Sequence, residues 1–514
     1  MFNTSHLRRN TFFIALIIVS SIWFLSTTFF TYQQHISFSD DIDASNFLQS
    51  IYSASEGKPL IINSQPWLST CWPESICPSS FLSSHFDPIL FFFTPIVYIF
   101  PSILTINILQ NLLLALSAIP LYLFSRRYIS AQVSFAVSLS FLLNPLVIAL
   151  TVNQFKTEAI LIFFLFTTVY ALFSSKWKLF TISSFFTLIC IEFTPFLLIA
   201  LIPFYVYQTR KPKSWQFIYI LVCILYYVLT GYFQDYFGLM SSSIYGYYWH
   251  ILDAPTVAHV PLQIIFHPDL ALQALNSSLN LKTNWLLLLF TSSAGLSLLN
   301  IPSYFLLLPW LTLSLFSDYY LFFSPYGFYS AFIVYGVFFP LVFSLKTIGK
   351  TLIKFTPHVR IIFTFLLILT SSIGLSQSIY YNSLLAPSHY SNSTTISWDS
   401  TFSIIPFDAS VLSTVDVFSH IATNINSMQI AFINSTETHN RFLIILDKKH
   451  FDYIVINNVS TNYYVKDAVS LILNKLICIP NNHYTELISK DGLVILHYTQ
   501  SIQPQQSVCS WINQ

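Results

Sequence analysis

Charged residues are scarce in this 514-residue chain, and their scarcity indicates which solvent surrounds it. Asp, Glu, Lys and Arg make up 8% of the sequence, whereas 54% is hydrophobic. An average soluble domain has about 25% charged residues, so most of the surface must face lipid rather than water. The net charge of +1 also excludes the strongly basic surface that binds nucleic acid, and no nucleic-acid partner is expected.

The sequence also lacks the short motifs of several common chemistries. It contains no Walker loop, dinucleotide-binding glycine fingerprint, zinc-type Cys/His spacing or Ser-nucleophile elbow. ATP-driven transport by this chain alone is therefore not expected. Function must be inferred from the positions of the few charged residues.

Long apolar runs predict a polytopic helical bundle with about eleven membrane segments. A spanning helix needs about 20 apolar residues, whereas barrel strands would be shorter and alternating. The first run follows two arginines and is interpreted as a retained anchor, because it exceeds a signal-peptide core of about 7–15 residues and no cleavage site ends it. The predicted segments are 11–31, 103–126, 131–150, 153–174, 179–193, 195–208, 216–233, 284–300, 301–317, 327–345 and 361–380.

Three apolar stretches do not fit a simple spanning helix. The pairs 179–193 with 195–208 and 284–300 with 301–317 consist of short segments, so each pair is predicted to tilt or to re-enter. A full span at 86–100 would move Arg126 and Arg127 outside. That stretch is therefore predicted to lie along or dip into the outer leaflet.

The distribution of charge predicts the orientation in the cell membrane. With a cytoplasmic N-terminus, the inside loops carry 13 of the 22 Lys and Arg residues, in agreement with the positive-inside rule. None of the 21 Asp and Glu residues falls in an assigned cytoplasmic loop. The acidic residues are therefore predicted to lie on, or open toward, the extracytoplasmic side.

The composition changes near residue 381, where the long apolar runs stop. We predict a transmembrane helical domain at 1–380, with an external loop at 32–102, and a small extracytoplasmic α/β domain at 381–514. Alternating apolar patterns at 442–446 and 453–456 predict strands in that domain. Asn392, Asn434 and Asn458 begin glycosylation-type sequons.

The six cysteines divide into two groups by predicted location. Cys190 and Cys223 fall within membrane segments and are interpreted as small apolar residues. The other four are external, where an oxidising compartment permits disulfides. Local pairing of 71 with 77 and of 478 with 509 is one arrangement, and the other pairings stay open; the four residues are Cys71, Cys77, Cys478 and Cys509.

Three aspartates, Asp40, Asp41 and Asp43, follow the first predicted segment directly, at the boundary between water and lipid. Partial desolvation raises the pKa of a carboxyl group there and strengthens its pull on a hydroxyl proton. Each is therefore a candidate general base. The alternative is that Asp40 and Asp41 are solvated charges or helix N-caps.

His85 and Asp87 occupy the far end of the same external loop. The imidazole of His85 is a candidate ligand for a phosphate or a metal, and the alternative is a structural role. Asp87 followed by Pro88 indicates the cap and first turn of a helix.

Glu158 and Glu192 each lie at the external end of a predicted segment, where a carboxylate is costly enough to indicate function. Lys156 is expected either to neutralise Glu158 or to contact a lipid-linked phosphate. The alternative for both glutamates is a structural ion pair or a water-exposed helix end. Tyr326 and Tyr329 are candidates for binding a head group or for an aromatic belt.

Three stretches carry a resemblance to a known family. They resemble prokaryotic polytopic membrane proteins of a domain-of-unknown-function family related in layout to GT-C glycosyltransferases. Family patterns differ from this chain at Lys156-Thr157, where His-Pro is usual, and at Leu48, where an Asp precedes Gln. The stretches are His85-Phe86-Asp87-Pro88 through Arg126-Arg127, Phe155-Lys156-Thr157-Glu158 with Glu192, and Ile405-Pro406-Phe407-Asp408-Ala409.

The resemblance implies transfer of a sugar from a polyprenyl-phosphate carrier to an acceptor outside the cytoplasm. In GT-C enzymes an acidic residue of the first external loop assists the acceptor or a divalent metal. This analogy makes Asp43 the first candidate base, with Asp40 and Asp41 as substitutes. The residues expected to bind substrate are His85, Lys156, Glu158 and Glu192.

A second hypothesis is a non-catalytic membrane transporter or a lipid-binding scaffold. Such a protein would bind or move its ligand without turnover. Acidic residues along a water-filled path across the bilayer favour transport, whereas acidic residues gathered in one outward-facing cavity favour transfer.

Overall fold

A computed structural model of the chain describes residues 4–63, 74–75, 77–238, 248–324, 327–352, 358–383, 401–424, 426–430, 436–457, 463–478, 482–490 and 492–501. The predicted sequons at Asn392, Asn434 and Asn458 lie outside these residues, as do Cys71, Cys509 and Tyr326.

The mainly helical class is confirmed over this part of the chain. The α-helices are α1 (Thr4–Ile36), α2 (Ile42–Ser55), α3 (Thr94–Ile99), α4 (Ile103–Ser125), α5 (Ala131–Leu142), α6 (Pro145–Val152), α7 (Thr157–Phe173), α8 (Trp177–Leu188), α9 (Thr194–Thr209), α10 (Ser214–Phe237), α11 (Val260–Phe266), α12 (Pro268–Asn276), α13 (Leu279–Thr291), α14 (Ser303–Leu315), α15 (Ala331–Leu352), α16 (His358–Ser383), α17 (Val415–Ile421), α18 (Thr436–Lys448) and α19 (Tyr463–Ile472).

Shorter elements connect these helices. The 3₁₀-helices are Phe81–Ser83, Pro88–Phe92, Val257–His259, Leu296–Leu299, Tyr320–Phe323, Phe328–Ser330 and Phe402–Ile404, and a π-helix covers Leu473–Ile477. The strands are β1 (Ile61–Ile62), β2 (Ser79–Ser80), β3 (Val411–Thr414), β4 (Ser427–Ile430), β5 (Tyr453–Asn457), β6 (Tyr484–Lys490) and β7 (Leu493–Tyr498).

The predicted count of about eleven membrane spans is not confirmed. Within the described residues, four helices are long and apolar enough to cross a bilayer, or five if α5 and α6 form one bent span. Several predicted segments contain shorter helices: α7, α9 and α14 have 17, 16 and 13 residues, fewer than the roughly 20 that a span requires. The four long spans are Thr11–Ile36, Ile103–Ser125, Ser214–Phe237 and Phe328–Lys350.

A capped proline explains why the predicted segment 131–150 is split. Pro145 begins α6, and the side chain of Asn144 accepts hydrogen bonds from the N–H groups of Leu146 and Val147. Proline fits the first turn of a helix but interrupts a helix that precedes it. As a result, α5 and α6 meet at an angle of 43°.

Burial separates an inner helix from a peripheral one. Most of the span Phe328–Lys350, which overlaps α15, is buried, whereas α10 exposes most of its apolar side chains, including Phe217 (72%) and Val228 (61%). An exposed apolar face of this extent is unfavourable in water. Lipid is therefore the environment that suits α10.

The stretch 86–100 forms the 3₁₀-helix Pro88–Phe92 and the six-residue α3. Neither element is long enough to cross a bilayer. Phe91, Phe92 and Tyr98 have exposed side chains. Their location in the outer leaflet remains a prediction.

The C-terminal residues form a five-stranded sheet in the order β4-β3-β5-β7-β6. Strand β3 is parallel to β4 and β5, while β7 is antiparallel to β5 and β6. The strand predicted at 453–456 is confirmed as β5. The domain boundary predicted between 380 and 381 remains a prediction.

The strand predicted at 442–446 is wrong, because these residues belong to α18. Phe442, Ile445 and Leu446 are buried, while Leu443 and Ile444 are partly exposed. Burial at spacings of three and four residues is the pattern of an amphipathic helix packed on one face. A five-residue apolar run does not distinguish this pattern from a buried strand.

Helix α2 connects the helical bundle to the sheet. The amide of Gln49 donates a hydrogen bond to the carbonyl oxygen of Ser427 (3.0 Å). The amide of Gln429 donates to the side-chain oxygen of Asn46 (2.8 Å). Because all four residues are buried, these bonds fix the sheet against α2.

Cys190 and Cys223, which are predicted to fall within membrane segments, are free and buried. Cys77 and Cys478 are each disulfide-bonded. The predicted pairings with Cys71 and Cys509 involve residues that the structure does not describe, and they remain predictions.

Candidate functional site

Asp41 fixes the start of α2. Its carboxylate accepts hydrogen bonds from the backbone N–H groups of Asp43 (2.9 Å) and Ala44 (3.3 Å), which otherwise lack a partner at a helix N-terminus. The interpretation of Asp41 as a helix cap is therefore confirmed. The cap also holds Asp43 in the first turn of α2.

Lys156 lies beneath these aspartates, and its side chain is only 2% exposed. Its Nζ donates a hydrogen bond to Oδ1 of Asp41 and lies 3.2 Å from Oδ2 of Asp43. It also lies 5.0 Å from the centre of the Phe328 ring, within the range of a cation–π contact. Burial opposes protonation, but the carboxylates of Asp41 and Asp43 raise the pKa of Lys156 above its ordinary value, so its ammonium group is charged at neutral pH.

The expected pairing of Lys156 with Glu158 is therefore not its main contact. Glu158 lies in the first turn of α7 and is 3% exposed. The side chain of Lys156 contacts the aspartates of the first external loop, whereas that of Glu158 lies near His85. Sequence spacing did not distinguish these two directions.

Gln154 connects Asp40 and Asp41 to the residues before α7. Its side-chain oxygen accepts a hydrogen bond from the backbone N–H of Asp41 (3.0 Å), and its nitrogen donates to Oδ1 of Asp40 (2.9 Å). Gln154 has a φ of 57°, a left-handed conformation that is uncommon for residues other than glycine. Sequence reasoning missed this residue. The signal in the sequence was its place in the short, mostly polar stretch 153–157 between two apolar runs.

A second cluster surrounds His85. Its Nδ1 lies 3.1 Å from Oε1 of Glu192, and the other carboxylate oxygen accepts a hydrogen bond from the backbone N–H of Phe86 (3.0 Å). Burial opposes the charged imidazolium, but Glu192, Asp87 and Glu158 together raise the pKa of His85 to about 10. At neutral pH His85 is therefore a cation.

Asp87 belongs to the same cluster. It occupies the N-cap position of the 3₁₀-helix Pro88–Phe92, as predicted, but its side chain makes no capping hydrogen bond. Instead, Oδ2 accepts a hydrogen bond from the hydroxyl of Thr157 (2.7 Å). Oδ1 is buried and has no hydrogen-bond partner among the described residues, and burial raises the pKa of Asp87 well above its ordinary value.

Five consecutive residues, 154–158, join the two clusters. Gln154 and Lys156 contact the aspartates after α1, while Thr157 and Glu158 belong with Asp87 and His85. All seven predicted site residues thus lie in or near this segment, which includes the first two residues of α7. The structure brings them together as two neighbouring groups rather than as one ring of side chains.

A cavity of about 300 Å³ adjoins the second cluster. His85 and Glu192 form one polar wall, and the aromatic wall includes Tyr248, Trp310 and Tyr329. The rings of Trp310 and Tyr329 are stacked, with 5.5 Å between their centres. Of the two tyrosines predicted to bind a head group, Tyr329 therefore lines a cavity.

The cavity also reaches α10, where Val228 and Gly231 contribute to its lining. Because Val228 is 61% exposed, this side of the cavity borders the face of α10 that suits lipid. Among the described residues, Asp40, Asp41 and Asp43 do not line the cavity. Burial, together with the charges of Asp43 and Glu192, raises the pKa of Tyr248 to about 12, so this phenol is near both clusters and remains protonated at neutral pH.

A protein-family model matches most of the chain. The family is described as "Predicted membrane protein (DUF2079)", and its model matches residues 34–494. The chain belongs to this family. The matched DUF2079 region begins one residue before His35 and ends within β7, so it contains every residue of both clusters. The predicted membership of a domain-of-unknown-function family of membrane proteins is confirmed, whereas the match does not test the predicted relation to GT-C enzymes. No curated protein matches the sequence.

The buried ion pair predicts the effect of replacing Lys156. We expect Lys156→Met to lower the free energy of unfolding by about 1–3 kcal/mol, because Asp41 and Asp43 lose their cation. The loss should be smaller than the roughly 3–5 kcal/mol for a fully buried pair, since the two carboxylate side chains are 31% and 46% exposed. Denaturant unfolding in detergent micelles measures the change. Lys211→Met, at an exposed position, is the matched control, and an equal loss there would exclude the ion pair as the cause.

The His85–Glu192 pair predicts a dependence of stability on pH. The pKa of His85 rises from its ordinary 6.5 to about 10 on folding. Its contribution to stability is therefore complete below pH 6.5 and is lost as the pH rises toward 10. We expect the melting temperature to fall across this interval, and to fall less in Glu192→Gln, which cannot hold the imidazolium. Identical pH profiles for the two proteins would contradict the prediction.

Proposed function

We propose that this membrane protein transfers a sugar from a polyprenyl-phosphate donor to an acceptor on the extracytoplasmic side. The observation that carries the proposal is a partly exposed carboxylate, Asp43, held by the buried cation of Lys156 beside an aromatic cavity that borders the lipid-facing helix α10. This arrangement suits a donor with a tail in lipid and a reacting group in water.

Asp43 is the proposed general base. Its carboxylate takes the proton of the acceptor hydroxyl while the acceptor oxygen forms a bond to the anomeric carbon of the sugar. The bond between that carbon and the phosphate oxygen breaks, and polyprenyl phosphate leaves with the electron pair. Lys156 is a positioning residue, because its ammonium group holds the carboxylate of Asp43 in place.

His85 is the proposed phosphate-binding group. Its protonated ring is 32% exposed and lines the cavity, and a charge-assisted hydrogen bond to phosphate is stronger than a neutral one. The phenol of Tyr248 is a further donor in the same cavity. Glu192 holds the ring of His85, and Thr157 holds Asp87, so both glutamate and threonine act as positioning residues here.

The positions of the acidic residues favour transfer over transport. The aspartates follow the end of α1, Glu158 begins α7, and Glu192 lies between α8 and α9. Each group lies near a helix end and in or beside the segment 154–158. The carboxylates therefore gather at one end of the bundle rather than along a path through it. The resemblance to GT-C enzymes agrees with this assignment, although a shared layout does not fix a reaction.

Mutation of Asp43 tests the reaction. Purified protein in lipid nanodiscs, supplied with a panel of labelled polyprenyl-phosphate sugars and acceptors, should transfer label, and Asp43→Asn should lower the rate by about 100-fold or more. Asp269→Asn, an exposed aspartate in the first turn of α12, should transfer at the normal rate. Undiminished transfer in Asp43→Asn would remove its role as base. Binding or flux of lipid-linked sugar without any turnover would instead favour the transporter or scaffold.

The proposed sidedness has its own test. Exclusion of acidic residues from the inner loops and the disulfide bonds at Cys77 and Cys478 support an extracytoplasmic sheet domain. A reporter that is active only after export, fused behind residue 501, should therefore be active. A reporter that requires the cytosol should be inactive at the same junction, and activity of that reporter would overturn the orientation.

A further inference from the structure

Three side chains of metal-ligating type meet beyond the end of α1. His35 lies in the last turn of α1, Asp40 follows in the connecting turn, and His420 comes from α17 of the sheet domain. One ring nitrogen from each histidine and one oxygen of Asp40 all lie within 4.8 Å of one another. The sequence separates the two histidines by almost 400 positions, so sequence reasoning missed the cluster.

The side chain of Asp40 is buried, and contacts with two neighbours fix its orientation. Its side chain is 0% exposed, and its Oδ2 lies 2.6 Å from Nδ1 of His35. The other oxygen accepts a hydrogen bond from Gln154 (2.9 Å), the kind of outer contact that orients metal-binding carboxylates.

We propose that His35, Asp40 and His420 bind a divalent transition-metal cation, with Zn²⁺ as the ion that fits these ligands. Two imidazoles and one carboxylate are a known zinc-binding set that leaves a fourth position for water. Mg²⁺ and Ca²⁺ prefer oxygen ligands, which two histidines do not supply. The inference does not depend on the proposed sugar transfer.

Binding requires the side chains of the cluster to move. The rings of His35 and His420 are stacked, with 4.3 Å between centres and 9° between planes, so their nitrogens point along parallel planes. Zinc bonds of about 2.0–2.2 Å place tetrahedral ligand atoms roughly 3.4 Å apart. The three ligand atoms of this cluster lie within 4.8 Å of one another, so they must move closer together to bind the ion. The cation takes the place of the hydrogen bond between His35 and Asp40.

The site would join two parts of the protein. His35 belongs to a predicted membrane helix, whereas His420 belongs to the domain that packs on α2 through Gln49 and Asn46. Asp40 directly precedes Asp41, which caps α2 and contacts Lys156. A bound cation would therefore tie α17 to the turn that positions the aspartates.

Zinc titration of the full-length protein tests the proposal. The protein is purified in detergent, stripped with a chelator and titrated with ZnCl₂ against a chromophoric competitor. We expect one saturable zinc per chain and a higher melting temperature with zinc. His420→Gln and Asp40→Asn should each weaken binding by about 100-fold or more and abolish the zinc-dependent rise in melting temperature.

His267→Gln is the matched control, because His267 is exposed at the start of α12, and it should bind zinc normally. Asp40→Asn removes a buried charge. If Asp40→Asn does not fold, His420→Gln alone provides the test. Unchanged affinity in His420→Gln, equal weakening in His267→Gln, or no saturable binding by the unmodified protein would each overturn the proposal. None of these results would affect the Asp43 experiment.

Discussion

The ammonium group of Lys156 is buried within the protein, and the arrangement of the candidate site depends on how it is neutralised. A buried charge is strongly destabilising unless a partner of opposite sign compensates it. Asp41 and Asp43 supply that charge, and Asp41 also caps α2. A single contact thus holds the external turn after α1 against the start of α7, and it determines where the exposed carboxylate of Asp43 stands.

The same segment of chain organises the second cluster. The hydroxyl of Thr157, next to Lys156, donates a hydrogen bond to Asp87. Asp87 in turn lies near the pair of His85 and Glu192. Phe328, whose ring covers the lysine, precedes Tyr329 in the cavity wall. The ion pair and the cavity are consequently parts of one packed region, so a displacement at Lys156 would be transmitted to both.

Charge in an apolar sequence indicated which residues the structure gathers around the segment 154–158, but it did not indicate which of them pair. Glu158 and Glu192 were predicted because a carboxylate near lipid is costly, and Asp43 was predicted from its place in the first external loop and from the resemblance to GT-C enzymes. All three lie in or close to the segment 154–158. Gln154 is neutral and gave no comparable signal, although it bridges two of the aspartates. Asp87 had the pattern of a helix cap, and its bond to Thr157 depends on a residue 70 positions away.

The sequence by itself determined the membrane character, the mainly helical class and the family, because composition and local pattern reflect burial in lipid. Tertiary structure alone decided which helices are long enough to cross a bilayer, that 442–446 is helical, and which cation meets which carboxylate. Lys156 and Asp41 are 115 positions apart, and no local pattern encodes a contact at that separation. Such contacts form when helix packing brings the two residues together. Because a buried charge without a partner is costly, the packed arrangement places a carboxylate beside the ammonium group.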